Sequence, residues 1–419
     1  MRTTRGLFIL VLSSALMPFG GYSQTEAPAG AVIFKSDLNV VLVPVVVRDG
    51  HGKALGNLER EDFQVFDKGK LQEISNFSMQ THTAVTPEVA NRATPAPAIA
   101  AKAVKPERFI AFLFDDLHLE AAEVAQARKA ALKMLDGTIN SSDWGAVITT
   151  SGSIAVPFMP YDAPLRAGIA KIRPRMIYRH AGRNCPEVSY YQADLILNRD
   201  DTIALAASAA DAMACGHVSM KLAEQIARVA ALETLVLGKQ LTHMSLQSLS
   251  ELVQTMARCP GQRTIVLISP GFFAGAEDND LKGRILDNAS RSQVTISTLD
   301  ARGLYITEPD GSEPSRLSSQ GMRLKSRYHA ESMSSNQDVM AELSDGTGGA
   351  FFHNSNDLTG GLAQLAQGPE YVYLIEFAPQ NVKPDGSYHK LKIAVDVVGT
   401  HVQVRRGYFA DKPPKKKKK

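Results

Sequence analysis

Asp115-Asp116-Leu117-His118-Leu119-Glu120 places three carboxylates and an imidazole within six positions, directly after an apolar run. Oxygen and nitrogen donors at that density suit a divalent metal. Asp115, Asp116 and His118 are the candidate ligands. On that reading the chain is a metal-dependent hydrolase. The competing reading rests on the adjoining segment, an alanine-rich helical run from Glu120 to Leu135. Acidic residues at a helix start cap free N–H groups and suit the helix dipole. Capping is the preferred reading, and His118 is expected to be an exposed polar residue rather than a ligand.

Other chemistry is hard to place. The sequence has no G-x-S-x-G elbow, P-loop, H-E-x-x-H or G-x-G-x-x-G. Ser269 is followed by Pro270-Gly271 and reads as a structural turn rather than a nucleophile. Gly346, Gly348 and Gly349 sit between a helix and a strand, the place of a C-cap and tight turn. No catalytic residue is assigned, and no cofactor is expected beyond that candidate divalent metal.

The elements that must position these residues are set by period and punctuation. Across 107–368 short apolar strands alternate with helical stretches. Phe109 to Phe114 ends at Asp115. Trp144 to Thr150 and Ile154 to Phe158 flank Ser151-Gly152. Residues 219–258 have helical spacing, Thr264 to Ile268 ends at Ser269, and Val294 to Leu299 ends at Asp300. A helix near Gln337 to Leu343 leads to the strand Ala350 to Phe352. Such alternation predicts an α/β fold with a doubly wound, mostly parallel sheet. Ligands of such sheets bind beyond the strand carboxyl ends, where Asp115, Asp116, Ser269 and Asp300 fall. Asp310 to His329 is polar and serine-rich, so 305–332 reads as a surface or recognition loop.

The two ends of the chain read as β. Residues 34–80 carry alternating strands broken at Asp49-Gly50-His51-Gly52 and Asp67-Lys68-Gly69-Lys70, with Pro44 marking an edge or bulge. Residues 369–410 supply three more strands, too few to stand alone. Pairing the two segments would complete a β-sandwich flanking the α/β domain. The Ala-, Pro- and Thr-rich 81–106 reads as a linker.

Five segments resemble one family. Leu58-Glu59-Arg60-Glu61-Asp62-Phe63-Gln64-Val65-Phe66-Asp67 is similar to the N-terminal motif of secreted von Willebrand factor A-related proteins of acidobacterial type. Gly261-Gln262-Arg263-Thr264-Ile265-Val266-Leu267-Ile268-Ser269-Pro270-Gly271 resembles their fourth-strand segment. Asp300-Ala301-Arg302-Gly303-Leu304, Thr347-Gly348-Gly349 and Arg405-Arg406-Gly407-Tyr408-Phe409 come after it in the family's order. The resemblance implies a von Willebrand factor A (VWA) domain, Rossmann-like in fold, flanked by β segments. It also implies a metal-ion-dependent adhesion site of the form Asp-x-Ser-x-Ser, completed by a loop Thr and an Asp. Asp115 matches the first Asp, but Leu117 and Leu119 replace both serines and Pro270 replaces the later Asp. The implied site is degenerate; the preferred reading of the chain is a binding or scaffolding module, with a metal-dependent hydrolase as the alternative.

Charge and address point the same way. The net charge of +3 is a tail effect, because six lysines lie in Lys412 to Lys419. Without those and the N-terminal Arg2 and Arg5, 38 basic residues face 43 acidic ones. No specific nucleic-acid partner is indicated. Arg2 and Arg5 before the apolar Leu7 to Phe19, then Gly20-Gly21-Tyr22-Ser23, form an export signal over 1–23. No transmembrane segment is expected in the mature chain, which should be periplasmic or extracellular. Its expected partner is a protein or envelope ligand, and the Lys-rich tail 411–419 adds weak contact with anionic surfaces.

Export makes the cysteines legible. Cys185 and Cys215 bracket an insertion at about 178–217, and an oxidising compartment favours their disulfide. Cys259, at a helix end, is expected to stay unpaired.

Overall fold

Alternate valines set the first strand. In this computed structural model, β1 (Val41–Arg48) turns Val43, Val45 and Val47 to one apolar cluster, while Val46 packs with Ala54 and Val372 on its other face. The structure describes residues 40–50, 53–81, 106, 108–136, 143–160, 163–175, 185–304, 317–367, 370–379 and 387–410. The expected export signal, nearly all of the expected 81–106 linker and the Lys-rich tail lie outside them. β2 (Phe63–Asp67), β3 (Lys70–Gln72) and β4 (Ile74–Thr81) follow β1.

The α/β segment opens with β5 (Arg108–Phe114), whose seven residues are all buried. Ile110, Phe112 and Phe114 enter one core, and Phe109, Ala111 and Leu113 enter another. Burial on both faces explains the unbroken apolar run. Then come α1 (Ala121–Met134), β6 (Asp143–Thr149), β7 (Ala155–Pro160) and α2 (Ala163–Lys171). α3 (Tyr190–Asn198), α4 (Thr202–Gly216) and the 37-residue α5 (Met220–Met256) come next. The segment closes with β8 (Gln262–Ser269), α6 (Asn279–Arg291), β9 (Val294–Asp300), α7 (Ser319–Thr347), β10 (Phe351–Phe352) and α8 (Leu358–Gln367).

These strands form a six-stranded sheet in the order β10-β9-β8-β5-β6-β7, parallel except for β7. That is the doubly wound, Rossmann-like order, reversing between β5 and β8. α1, α2 and α8 cover one face, and α5, α6 and α7 the other. α3 and α4 pack on the first half of α5 through small side chains: Ala204, Ala207 and Ala212 meet Ala223, Ala227 and Ala231. Cys185 and Cys215 are disulfide-bonded, with Cα atoms 5.9 Å apart, so the bond fastens the start of this segment to the end of α4. Cys259 is free.

One expectation fails. From 319 onward the expected loop is helix, because α7 begins at Ser319 with the Ser318 hydroxyl accepting from the Gly321 amide. Its buried face is built from Gly321, Tyr328, Ser332 and Ser344 as well as Val339, Met340 and Leu343, so no apolar period marks its first half. Residues 305–316 lie outside the described chain.

β11 (Tyr371–Phe377), β12 (Tyr388–Val395), β13 (His401–Gln403) and β14 (Gly407–Phe409) complete two antiparallel sheets, ordered β13-β1-β11-β4 and β14-β12-β2-β3. Each mixes strands from both ends of the chain. β11 pairs with Val41 to Val45, Pro44 included, and β13 with Val46 to Arg48, so among the described residues no strand lies beside Pro44 on the side away from β11. Phe63, Val65, Tyr373 and Ile393 join the β1 valines in one core shared by the two sheets. Buried Tyr373 donates its hydroxyl to the Leu55 carbonyl at 2.8 Å and accepts from the Leu58 amide at 3.1 Å. The flanking sheets hold the α/β unit through an Arg406–Asp345 ion pair and a 3.0 Å bond from the Gln403 amide to the Gly348 carbonyl.

Candidate functional site

β5 delivers Asp115 to the strand carboxyl ends, and the backbone then folds back on itself. The His118 and Leu119 amides both donate to the Asp115 carbonyl, at 3.2 and 2.9 Å. This turn carries the His118 ring over its own loop. His118 Nδ1 lies 3.0 and 2.9 Å from the two Asp115 carboxylate oxygens, and the ring stacks on Phe272 at 4.9 Å. The imidazole side chain is 15% exposed, which corrects the expectation of a solvated surface residue. Among the described residues, none bonds its Nε2.

Four donors converge on Asp115, which is fully buried. Besides His118, Thr150 Oγ1 donates to Oδ1 at 2.9 Å, Ser245 Oγ to Oδ1 at 3.0 Å and Ser269 Oγ to Oδ2 at 2.7 Å. Burial alone would push this carboxyl up. The His118 charge and the hydrogen bonds from His118, Ser269 and Thr150 outweigh it and hold Asp115 below its ordinary value. An ionised carboxylate only accepts, so Nδ1 carries the proton it shares with Asp115.

Asp116 has a separate set of partners. The Ser151 amide donates to Oδ1 at 2.9 Å, and Ser151 Oγ and Ser153 Oγ donate to Oδ2 at 2.6 and 3.1 Å. Thr150 Oγ1 is also 3.2 Å from Asp116 Oδ1, so one hydroxyl proton lies between two carboxylates. Asp116 therefore anchors the β6–β7 turn and does not cap α1, contrary to expectation. Glu120 holds the N-cap position, and its amide donates to Glu123 Oε2 at 2.7 Å.

Leu117 and Leu119, which replace the expected serine ligands, point inward. Leu117 and Leu119 are 7% and 3% exposed, and Leu119 joins the α1-side core. The hydroxyls come from elsewhere: Thr150, Ser151 and Ser153 after β6, Ser245 in mid-α5 and Ser269 at the end of β8. Sequence reasoning missed all but Ser269. A run of hydroxyls at Thr149-Thr150-Ser151-Gly152-Ser153, directly after a strand, was the available signal for three of them. Ser245 had none. Asp300 is not drawn into this cluster; it pairs with Arg302 at 2.6 Å and accepts from Gln337 at 3.0 Å.

The Pro270-Gly271 turn brings backbone against backbone. Gly271 has φ +80°, and a Cβ there would lie 2.3 Å from the Asn336 carbonyl oxygen of α7. Its amide donates to Ser269 Oγ at 3.0 Å, fixing the hydroxyl that serves Asp115. Among the described residues no group of three or more His, Cys, Asp or Glu side chains is placed to hold a metal ion. None of their helices is by itself long and apolar enough to cross a membrane.

No family model matches the chain, and no curated protein matches it. Among solved structures it is similar to the conserved hypothetical protein BatB from Bacteroides thetaiotaomicron, at 12% identity and a TM-score of 0.31, covering 62% of this chain and 96% of that one. The pilus adhesin SpaC from Lactobacillus rhamnosus GG, in its open conformation, aligns at 8% identity and a TM-score of 0.28, over 86% of this chain and 48% of the adhesin. The human COPII-coat protein Sec24c aligns at 9% and 0.26, over 74% and 45%. The chain thus spans about half the length of the last two.

Proposed function

We propose that the protein is an exported binding or scaffolding module of the von Willebrand factor A type, whose strand-end site works without a metal. The observation that carries this is the saturation of Asp115. A carboxylate offers about four acceptor sites, and His118, Thr150, Ser245 and Ser269 supply four donors. A cation approaching these oxygens must displace a chain donor, and Leu117 and Leu119 bring no ligand atom in exchange. The site then braces the surface around it, and that surface makes the contact. The Cys185–Cys215 disulfide supports export. A protein partner is supported by α5, where Leu222, Val229, Leu232 and Val236 lie along one side of the helix and are all exposed.

The test pairs calorimetry with capture. Titrating the full chain with Mg²⁺ should show no micromolar binding. Envelope proteins retained on the immobilised chain should be the same with and without chelator, and Val229→Asp with Val236→Asp should release them. Micromolar Mg²⁺ affinity abolished by Asp115→Ala would overturn the reading and favour a metal hydrolase using Asp115, Asp116 and His118.

A further inference from the structure

The amino ends of β5, β8 and β9 point away from Asp115, about 20 Å down the strands. There a cavity of about 760 Å³ opens between the six-stranded sheet and the sheet holding β1 and β11. That volume is in the range of small-molecule sites, roughly 300–1,000 Å³. Its charge is one-sided. Arg48, Arg108, Arg263 and Arg405 line it, and no Asp or Glu among the described residues does.

Arg108 is already neutralised, with Nε donating to Asp143 Oδ1 at 2.8 Å and the second nitrogen bonding Oδ2. Arg405 is not. It is 9% exposed, yet its described partners are neutral: the Leu42 carbonyl at 2.9 Å, the Ser290 carbonyl at 3.3 Å and the Ser290 hydroxyl. Its Nε is buried with no partner, and so is Nε of Arg263. Burial pushes the Arg405 guanidinium down to about 10, and burial lowers Arg48 as well. A buried cation without a counter-charge is costly, and a paired one much less so. Planar guanidinium forks match carboxylate and phosphate oxygens.

We propose that this cavity binds a small anion bearing a carboxylate or phosphate group, held by Arg405 and Arg263. Gln262, Gln403 and Thr264 also line the cavity and offer neutral polar groups. The site is separate from the Asp115 cluster, so either can fail alone. It also gives Arg405 a role beyond joining the two parts of the fold.

Isothermal titration of the full chain with inorganic phosphate and, separately, with succinate tests the proposal and tells the two oxyanion classes apart. At least one should bind with a sub-millimolar Kd, and Arg263→Gln should weaken it at least tenfold, about 1.4 kcal/mol. Arg327→Gln removes an equal charge from an exposed arginine of α7 outside the cavity and should leave the affinity unchanged. Arg405→Gln should abolish binding; if that variant does not fold, Arg263→Gln decides. Absence of binding by both anions at roughly 10 mM, about 2.7 kcal/mol, or equal weakening by Arg263→Gln and Arg327→Gln, would overturn the proposal.

Discussion

Ser269 Oγ donates to Asp115 Oδ2 at 2.7 Å, across the boundary between β8 and β5 where the strand order reverses. This reversal is where doubly wound sheets open their ligand crevice. Here a buried hydrogen bond ties its two lips together. Ser269→Ala leaves the carboxylate with one donor fewer in a dry site, which should cost about 1–3 kcal/mol. Urea unfolding checks it: the midpoint should fall with the slope unchanged. A loss below about 0.5 kcal/mol would mean the remaining donors suffice.

The acid limb of stability depends on the same carboxylate. Asp115 is held below its ordinary value in the fold, so the folded state favours its ionised form. That contribution is fully present above the unfolded value, about pH 4, and is lost as pH falls through the lower folded value. Asp115→Asn should flatten this part of the stability curve below pH 4 while lowering stability at neutral pH. Equal acid sensitivity in the two proteins, measured by urea midpoints at pH 3 to 5, would assign the effect to other groups.

Gly271 tests the turn itself. With φ +80° and the Asn336 carbonyl oxygen 2.3 Å from where a Cβ would lie, Gly271→Ala must move α7 or the turn. The expected loss is more than about 1 kcal/mol, beyond the ordinary strain of a left-handed residue. Thermal unfolding checks it, and Gly152→Ala serves as the comparison, since φ +71° there comes with open space.

The disulfide should matter most where the core is thinnest. α4 buries chiefly alanines, so the 30-position closure between Cys185 and Cys215 contributes a large share of that segment's stability. Chain entropy puts it at roughly 3–4 kcal/mol. Replacing both cysteines by serine should raise hydrogen exchange across 189–216 before it raises exchange in β5. Alkylation of unreduced protein should find Cys259 as the free thiol.

The sequence exposed what periodicity can carry. β5, β8 and β9 were legible because a doubly buried strand is an unbroken apolar run. Asp115 was legible because it ends one. α7 was not, because its first half buries Gly321, Tyr328 and Ser332, which resemble a surface loop. The Asp115 partners were hidden for another reason: Ser245 is one serine within a 37-residue helix, and only the packing of α5 over β8 brings it to 3.0 Å of the carboxylate. His118 was misplaced because a tight turn, invisible in residue types, folds its ring back onto Asp115.

The mixed parentage of both flanking sheets sets a clock. β1 to β4 leave the ribosome about 290 residues ahead of β11, the strand that lies between β1 and β4. At roughly 5–20 residues per second, β1 and β4 wait about 15–60 s without β11, while β2 already has β3 beside it. A chain in that condition cannot close its outer sheets early. The outer sheets close only once β11 to β14 are made.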